Sequence, residues 1–200
     1  MKKIRLIATA KFGLEKMVKL EVMDLGFKNI RVSPGRIEFD ATLADIPKAN
    51  LWLRCADRVR LKVGEFEALT FDSLFEQTKA LPWEEWITED GRFTVTGKSV
   101  QSTLFSIRSC QSIVKKAVVE RLKSEYEVDW FEEDGPDFTI EVSVLRNMAL
   151  LTIDTSGSGL HKRGYRAKGG DAPLKETLAA ALVKLSFWRK ERLLIDPMCG

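Results

Sequence analysis

Histidine is nearly absent from this chain, with one in 200 residues, and there are only two tyrosines and three cysteines. Cys55, Cys110 and Cys199 are scattered and odd in number. That pattern argues against a disulfide framework or a zinc site, and it suits a reducing, cytoplasmic setting. No metal is expected. No apolar run approaches the roughly 20 residues that a membrane-spanning helix needs. The opening Met1-Lys2-Lys3-Ile4-Arg5-Leu6-Ile7-Ala8 has a basic tip, but its apolar stretch is too short for a signal peptide and alternates like a strand. Internal repeats and low-complexity tracts are lacking too. So is a dominant charge, since the net is only +3. The charge is unevenly spread: residues 160–200 hold nine Lys/Arg against four Asp/Glu, which leaves the preceding residues at −2. A basic end on a near-neutral body reads either as a site for a polyanionic partner or as a solvated surface.

What is present is ordinary globular material. At 44% hydrophobic residues the chain can build real cores, and its length suits one large domain or two small ones. The pattern divides into three parts with an α+β character. In the first, residues 4–8 read as a strand and 14–25 as a helix with Leu14, Met17, Val18 and Val22 on one side. Gly26 sits where a helix C-cap belongs. Residues 30–32 and 36–39 read as two strands around Ser33-Pro34-Gly35. Thr42 is placed to cap a helix through Leu51, Trp52 and Leu53, and 58–63 alternate as a last strand. The order βαββαβ is the ferredoxin-like pattern, which constrains architecture and not function.

The second part starts near Phe71. Residues 72–86 read as a helix that Pro82 ends or kinks. A strand over 92–97 runs into the polar segment Lys98-Ser99-Val100-Gln101-Ser102, and a long helix over 106–126 follows. After the loop Glu132-Glu133-Asp134-Gly135-Pro136, residues 138–144 and 148–154 read as a hairpin around Leu145-Arg146-Asn147. The third part opens on Thr155-Ser156-Gly157-Ser158-Gly159, which is either a flexible linker or a direct handover from one domain to the next. Residues 172–187 read as a helix with Pro173 in its first turn. Leu193-Leu194-Ile195 reads as a short buried strand before Asp196-Pro197-Met198-Cys199-Gly200.

Three segments carry candidate chemistry. On the 106–126 helix, Ile107, Cys110, Val114, Ala117 and Val118 share an apolar side, with Arg108, Ser112, Lys115, Lys116 and Lys123 roughly opposite. With Lys98 and Ser99 ahead of its first turn, that side is either a phosphate-holding face or the solvated side of an amphipathic helix. In Gly159-Leu160-His161-Lys162-Arg163-Gly164-Tyr165-Arg166, arginine can fork onto phosphate and Tyr165 can stack on a base. A lone histidine such as His161 is more often a hydrogen-bonded structural residue, so it is assigned no catalytic role. The apolar stretch ending in Asp196 and a glycine turn reads as the first crossover of a nucleoside-binding sheet, or equally as an exposed turn. Cys199 has no nameable base partner and is not read as a nucleophile.

Taken in order, these segments resemble one family. After the ferredoxin-like pattern and the region from Lys98-Ser99 to Lys115-Lys116 come the 159–166 segment, then Ala172-Pro173-Leu174-Lys175-Glu176-Thr177-Leu178-Ala179, then Asp196-Pro197-Met198-Cys199-Gly200. The chain resembles the bacterial THUMP-domain RNA methyltransferases that modify guanine at N2, and the last three motifs are the specific ones. The resemblance implies a ferredoxin-like domain over 1–67, a THUMP α/β domain over 68–155, and the start of a Rossmann-like class I methyltransferase domain over 156–200. It implies S-adenosyl-L-methionine as cofactor, with Asp196, Pro197, Met198, Cys199, Gly200, Pro173 and Leu174 at its site. It implies structured RNA as partner, ribosomal RNA of the large subunit ahead of transfer RNA, with contacts from Lys98, Ser99, Arg108, Ser112, Lys115, Lys116, His161, Lys162, Arg163 and Arg166. The family's catalytic motif, Asp or Asn followed by Pro-Pro and an aromatic residue, does not occur in these 200 residues. The chain is therefore expected to be a fragment with no catalytic residue of its own, inactive alone. A non-catalytic RNA-binding adaptor is the alternative, and a thiouridine synthetase fits less well because Asp-Pro-Met-Cys-Gly stands where a Ser-Gly-Gly loop would.

Overall fold

Apolar residues at strand and helix periods supply most of the buried side chains in each of two compact units. The computed structural model describes residues 2–164 and 174–197. These fall into two compact units, one from residues 1–59 together with 155–200 and the other from 60–154. The expectations for Tyr165, Arg166, Pro173, Met198, Cys199 and Gly200 lie outside the described residues.

The first unit runs β1 (Ile4–Thr9), α1 (Glu15–Asp24), β2 (Lys28–Ser33), β3 (Arg36–Ala41) and α2 (Asp45–Trp52), then enters β4 (Arg58–Glu67). β3 pairs antiparallel with both β1 and β2, from Ile4↔Ala41 to Thr9↔Arg36 on one side. The chain comes back beside β1 at Asp57, whose N–H donates to Thr9 O at 2.8 Å. Leu6, Ile7, Val18, Val22, Ile37, Phe39 and Leu53 are buried and form the core. Gly26 ends α1 as expected. With φ at +83° it lets Phe27 N–H reach Val22 O and its own N–H reach Met23 O, the double bond of a left-handed helix terminus. Thr42 does not act as the cap of α2. Its hydroxyl and N–H both donate to the Asp45 carboxylate, so the acid in the first turn is the acceptor.

The second unit holds the rest of β4, α3 (Phe71–Lys79), β5 (Arg92–Val100), α4 (Ile107–Tyr126), β6 (Asp137–Leu145) and β7 (Met148–Asp154). β4 and β6 flank β7 antiparallel, and β5 joins β6 in parallel. Arg146 and Asn147 both take positive φ, as a two-residue hairpin turn requires. α4 packs on α3 and β5 and buries Cys110, Val114, Ala117, Val118 and Leu122. Ile107, expected on that buried side, is 41% exposed at the first residue of the helix, where no preceding turn covers it. The helix expected over 72–86 stops at Lys79, and after Pro82 only a 3₁₀ turn, Trp83–Glu85, forms.

Two further expectations are corrected. β5 continues to Val100, so Lys98 and Ser99 are strand residues and not a loop ahead of α4. Leu193, Leu194 and Ile195 form no strand and are 86%, 52% and 72% exposed. A strand needs a neighbouring edge for its backbone groups, and among the described residues none lies there. The segment after Thr155 is not a free linker. Thr155 N–H and Oγ1 both donate to Val59 O, Ser156 Oγ bonds Asn50, and Arg58 donates to Gly157 O.

Candidate nucleic-acid interface

α4 owes its place to a missing side chain. A Cβ at Gly97 would stand 3.1–3.3 Å from Gln111, Val142 and Ile107, so the helix crosses β5 where the strand has no side chain. Gln111 Nε2 donates to Val95 O at 3.0 Å and fixes the helix along the strand. Ser106 caps the helix, accepting from Ser109 N–H, and the first turn contains no acid. Free N–H groups and the helix dipole make this end locally positive.

With α4 held this way, Arg108, Ser112 and Lys115 line one exposed stripe at spacings of four and three residues, about 10 Å long. Among the described residues neither Arg108 nor Lys115 has an ion-pair partner. Lys115 Nζ stands 5.9 Å from the Phe93 ring centre. Lys116 is exposed beside the stripe, 5.5 Å from the Phe75 ring and 3.8 Å from Glu120. Further along, other charges are spent in pairs: Lys79 with Glu120, and Arg121 with Glu84 and Glu125. Of the α4 cations that have no ion pair among the described residues, Arg108 and Lys115 lie in its first half and Lys123 in its last turn.

The other expected RNA contacts have different surroundings. Lys98 Nζ pairs with Glu141 at 3.1 Å, and Arg60 reaches the same carboxylate. Burial pushes the Glu141 carboxyl up, but the two cations outweigh it and hold it below the ordinary range. Ser99 Oγ donates to Leu104 O at 2.6 Å and braces the loop ahead of α4. In the first unit, Lys162 is exposed, His161 is half-buried against Gly159, and Arg163 turns inward. The Arg163 guanidinium donates to Leu160 O, Leu51 O and Leu53 O, so it closes the end of α2.

Sequence reasoning missed Phe105. It immediately precedes the cap residue of α4, a position whose apolar side chain usually packs back on the helix. Here Leu104 takes the buried place, at 4% exposure, and Phe105 is left 82% exposed. No pattern in the sequence separates those two roles.

Of the residues expected to hold a cofactor, only Leu174, Asp196 and Pro197 fall among the described residues. Leu174 is 47% exposed, and Asp196 and Pro197 lie in exposed chain with no strand ahead of them. A shallow cavity of about 410 Å³, lined by Lys19, Met23, Phe27, Lys28 and Ile30 among others, lies between α1 and β2 and involves none of them. Among the described residues there is no acid, histidine or cysteine cluster that could hold a metal, and no helix long and apolar enough to cross a membrane.

Comparison with known proteins places this architecture. Residues 5–60 match the RlmL ferredoxin-like domain, 68–154 the THUMP domain, and 163–200 the RMKL-like methyltransferase domain. The chain belongs to the THUMP-containing methyltransferases. It is 54% identical over its whole length to YpsC of Bacillus subtilis (strain 168), a protein provisionally named an RNA methyltransferase, and covers 52% of it. It is 35% identical over 98% of its length to the ribosomal RNA large subunit methyltransferase K/L of Syntrophotalea carbinolica, of which it covers 28%. Among solved structures, a Listeria monocytogenes protein described as a predicted N6-adenine-specific DNA methylase matches all of the chain at 53% identity and TM-score 0.96. SMU.472, provisionally described as a methyltransferase and solved with SAH, matches all of it at 42% identity and TM-score 0.93. The chain covers 53% of each of these two structures. It thus spans about half the length of its nearer relatives, and less of the K/L enzyme.

Proposed function

We propose that this chain is the RNA-binding and targeting region of an S-adenosylmethionine-dependent RNA methyltransferase that acts on guanine N2, with large-subunit ribosomal RNA as substrate. The observation that carries the reading is the stripe Arg108, Ser112 and Lys115 on α4, cationic and without ion pairs in a unit that matches the THUMP domain. Cations that make no internal pair are the ones available to phosphates. Phe105, exposed beside them on a braced loop, offers a base a stacking surface. The K/L relatives, named for large-subunit ribosomal RNA, support that choice of RNA over transfer RNA. SAH bound to SMU.472 supports the cofactor, since SAH is what S-adenosylmethionine becomes after methyl transfer.

We further propose domain limits at 1–67, 68–155 and 156–200, a cytoplasmic location, and no methyl transfer by these residues alone. Lys98 and Arg163, spent on Glu141 and on carbonyls, contribute less to RNA than Arg108, Lys115 and Lys116. The test is RNA binding by the chain and by its Lys115→Glu/Lys116→Glu variant across a salt series. Affinity for a ribosomal RNA fragment should fall about tenfold or more and the salt slope should shrink by roughly two. Unchanged affinity and slope would remove α4 from the interface. The same series with duplex DNA separates this reading from the DNA methylase description of the Listeria protein.

A further inference from the structure

α5 (Glu176–Leu185) is fastened to the first unit by polar contacts as well as by the buried Ala181. Thr177, Ala181 and Lys184 fall on one side at spacings of four and three. Thr177 and Ala181 are buried, yet that side is small and polar. Leu182 and Leu185, the residues a docking face would normally use, are 49% and 42% exposed on other sides. Two polar contacts hold the helix, one near each end. At its start, Thr177 Oγ1 donates to Asp57 Oδ1 at 2.9 Å. At its last turn, Lys184 Nζ reaches Glu21 Oε1 at 3.2 Å.

Both acceptors are themselves fixed. Asp57 donates its N–H to Thr9 O of β1 and accepts Leu160 N–H on its carbonyl, so it ties the sheet to the segment that leads toward α5. Glu21 is 5% exposed on α1. Its Oε2 accepts Arg54 N–H and Cys55 N–H at 3.0 and 2.9 Å, and its Oε1 faces the Cys55 thiol at 3.3 Å. A buried carboxylate with this many donors cannot move without leaving several of them unpaired.

We infer that Asp57 and Glu21 are positioning residues that clamp α5 at two points and so make the ferredoxin-like unit the mount on which the methyltransferase domain is set. The consequence for methyl transfer rests on the reading above; the clamp itself does not. Two anchors about 10 Å apart along the helix fix its rotation as well as its place. The apolar sides stay open for the domain that residues 163–200 begin.

Hydrogen–deuterium exchange of residues 176–185, read with thermal melting, tests the clamp in the whole chain. The substitutions are Thr177→Val and Lys184→Met, singly and together, because both sit on the helix side of each contact. The double variant should raise exchange in α5 by about tenfold while β5, β6 and β7 keep their protection, and Lys184→Arg should stay near the native rate. Glu21→Gln should loosen α5 and lower the melting temperature as well, since it also weakens the Arg54–Cys55 corner. Unchanged α5 exchange in the double variant would overturn the inference. So would an equal rise throughout both units, which would mark a general loss of stability. Neither outcome bears on RNA binding by α4, so the two readings fail separately.

Discussion

Four cations with the same standing in the sequence end up with two kinds of work. Arg108 and Lys115 keep their charge at the surface, whereas Lys98 pairs with Glu141 and Arg163 satisfies three carbonyls. Arg163→Ala should therefore destabilise the first unit by roughly 1–3 kcal/mol in denaturant unfolding, with little effect on RNA affinity. Arg163→Lys should not restore it, because an ammonium cannot present the guanidinium fork. Glu141 has a depressed carboxyl pKa, so its contribution is present above the unfolded value and lost as pH falls through the folded one. Glu141→Gln should cost roughly 2–3 kcal/mol at pH 7, and the gap from the native chain should narrow as pH falls through and below the ordinary carboxylate range. Cys55 is the opposite case. Burial first, and then the Glu21 charge, push its thiol up to about 12. It stays a neutral thiol across the ordinary range, and native Cys55 should resist alkylation at pH 8 that goes to completion in denaturant, as read by mass spectrometry.

At the scale of elements, the helices and strands of both units were legible wherever a period of two or 3.6 ran for several residues. α4 is the clearest instance: its buried side from Cys110 to Val118 is the one its spacing defines. What the period does not carry is where an element stops against another. β5 runs on to Val100 because β6 is there to pair with it through Leu145, while Leu193-Leu194-Ile195, as apolar as any strand, stays exposed without such a partner. The crossing of α4 over β5 depends on the close approach at Gly97. Gly97→Val should push the helix off the strand and cost roughly 1–3 kcal/mol. Because Gln111 then loses Val95 O, the stripe of Arg108, Ser112 and Lys115 should shift with it. A loss of RNA affinity at a temperature where the variant is still folded would show this.

At the scale of the whole molecule, chain order and spatial order differ. The sequence reads as three successive domains, whereas residues 155–200 group with 1–59, and 60–154 form a unit by themselves. The chain leaves the first unit at Val59 and re-enters it at Thr155, and these two residues are hydrogen-bonded to each other. α5 is tied to the ferredoxin-like residues, and the chain spans only about half the length of its nearer relatives. Titration calorimetry of this chain with S-adenosylmethionine should accordingly show no micromolar binding; heat that saturates at that level would refute the proposal.

The sequence alone determined most of the elements, the buried side of α4 and the family, because periodicity, turn residues and ordered motifs are local properties that survive without knowledge of neighbours. Only the tertiary structure decided which cations are free, which apolar segment finds a strand to pair with, and what α5 rests on. Those outcomes depend on partners far away in the chain: Glu141 for Lys98, Leu51 and Leu53 for Arg163, and Asp57 and Glu21 for Thr177 and Lys184. A charge or an apolar run has one identity in the sequence, but its energy is set by what it meets in space.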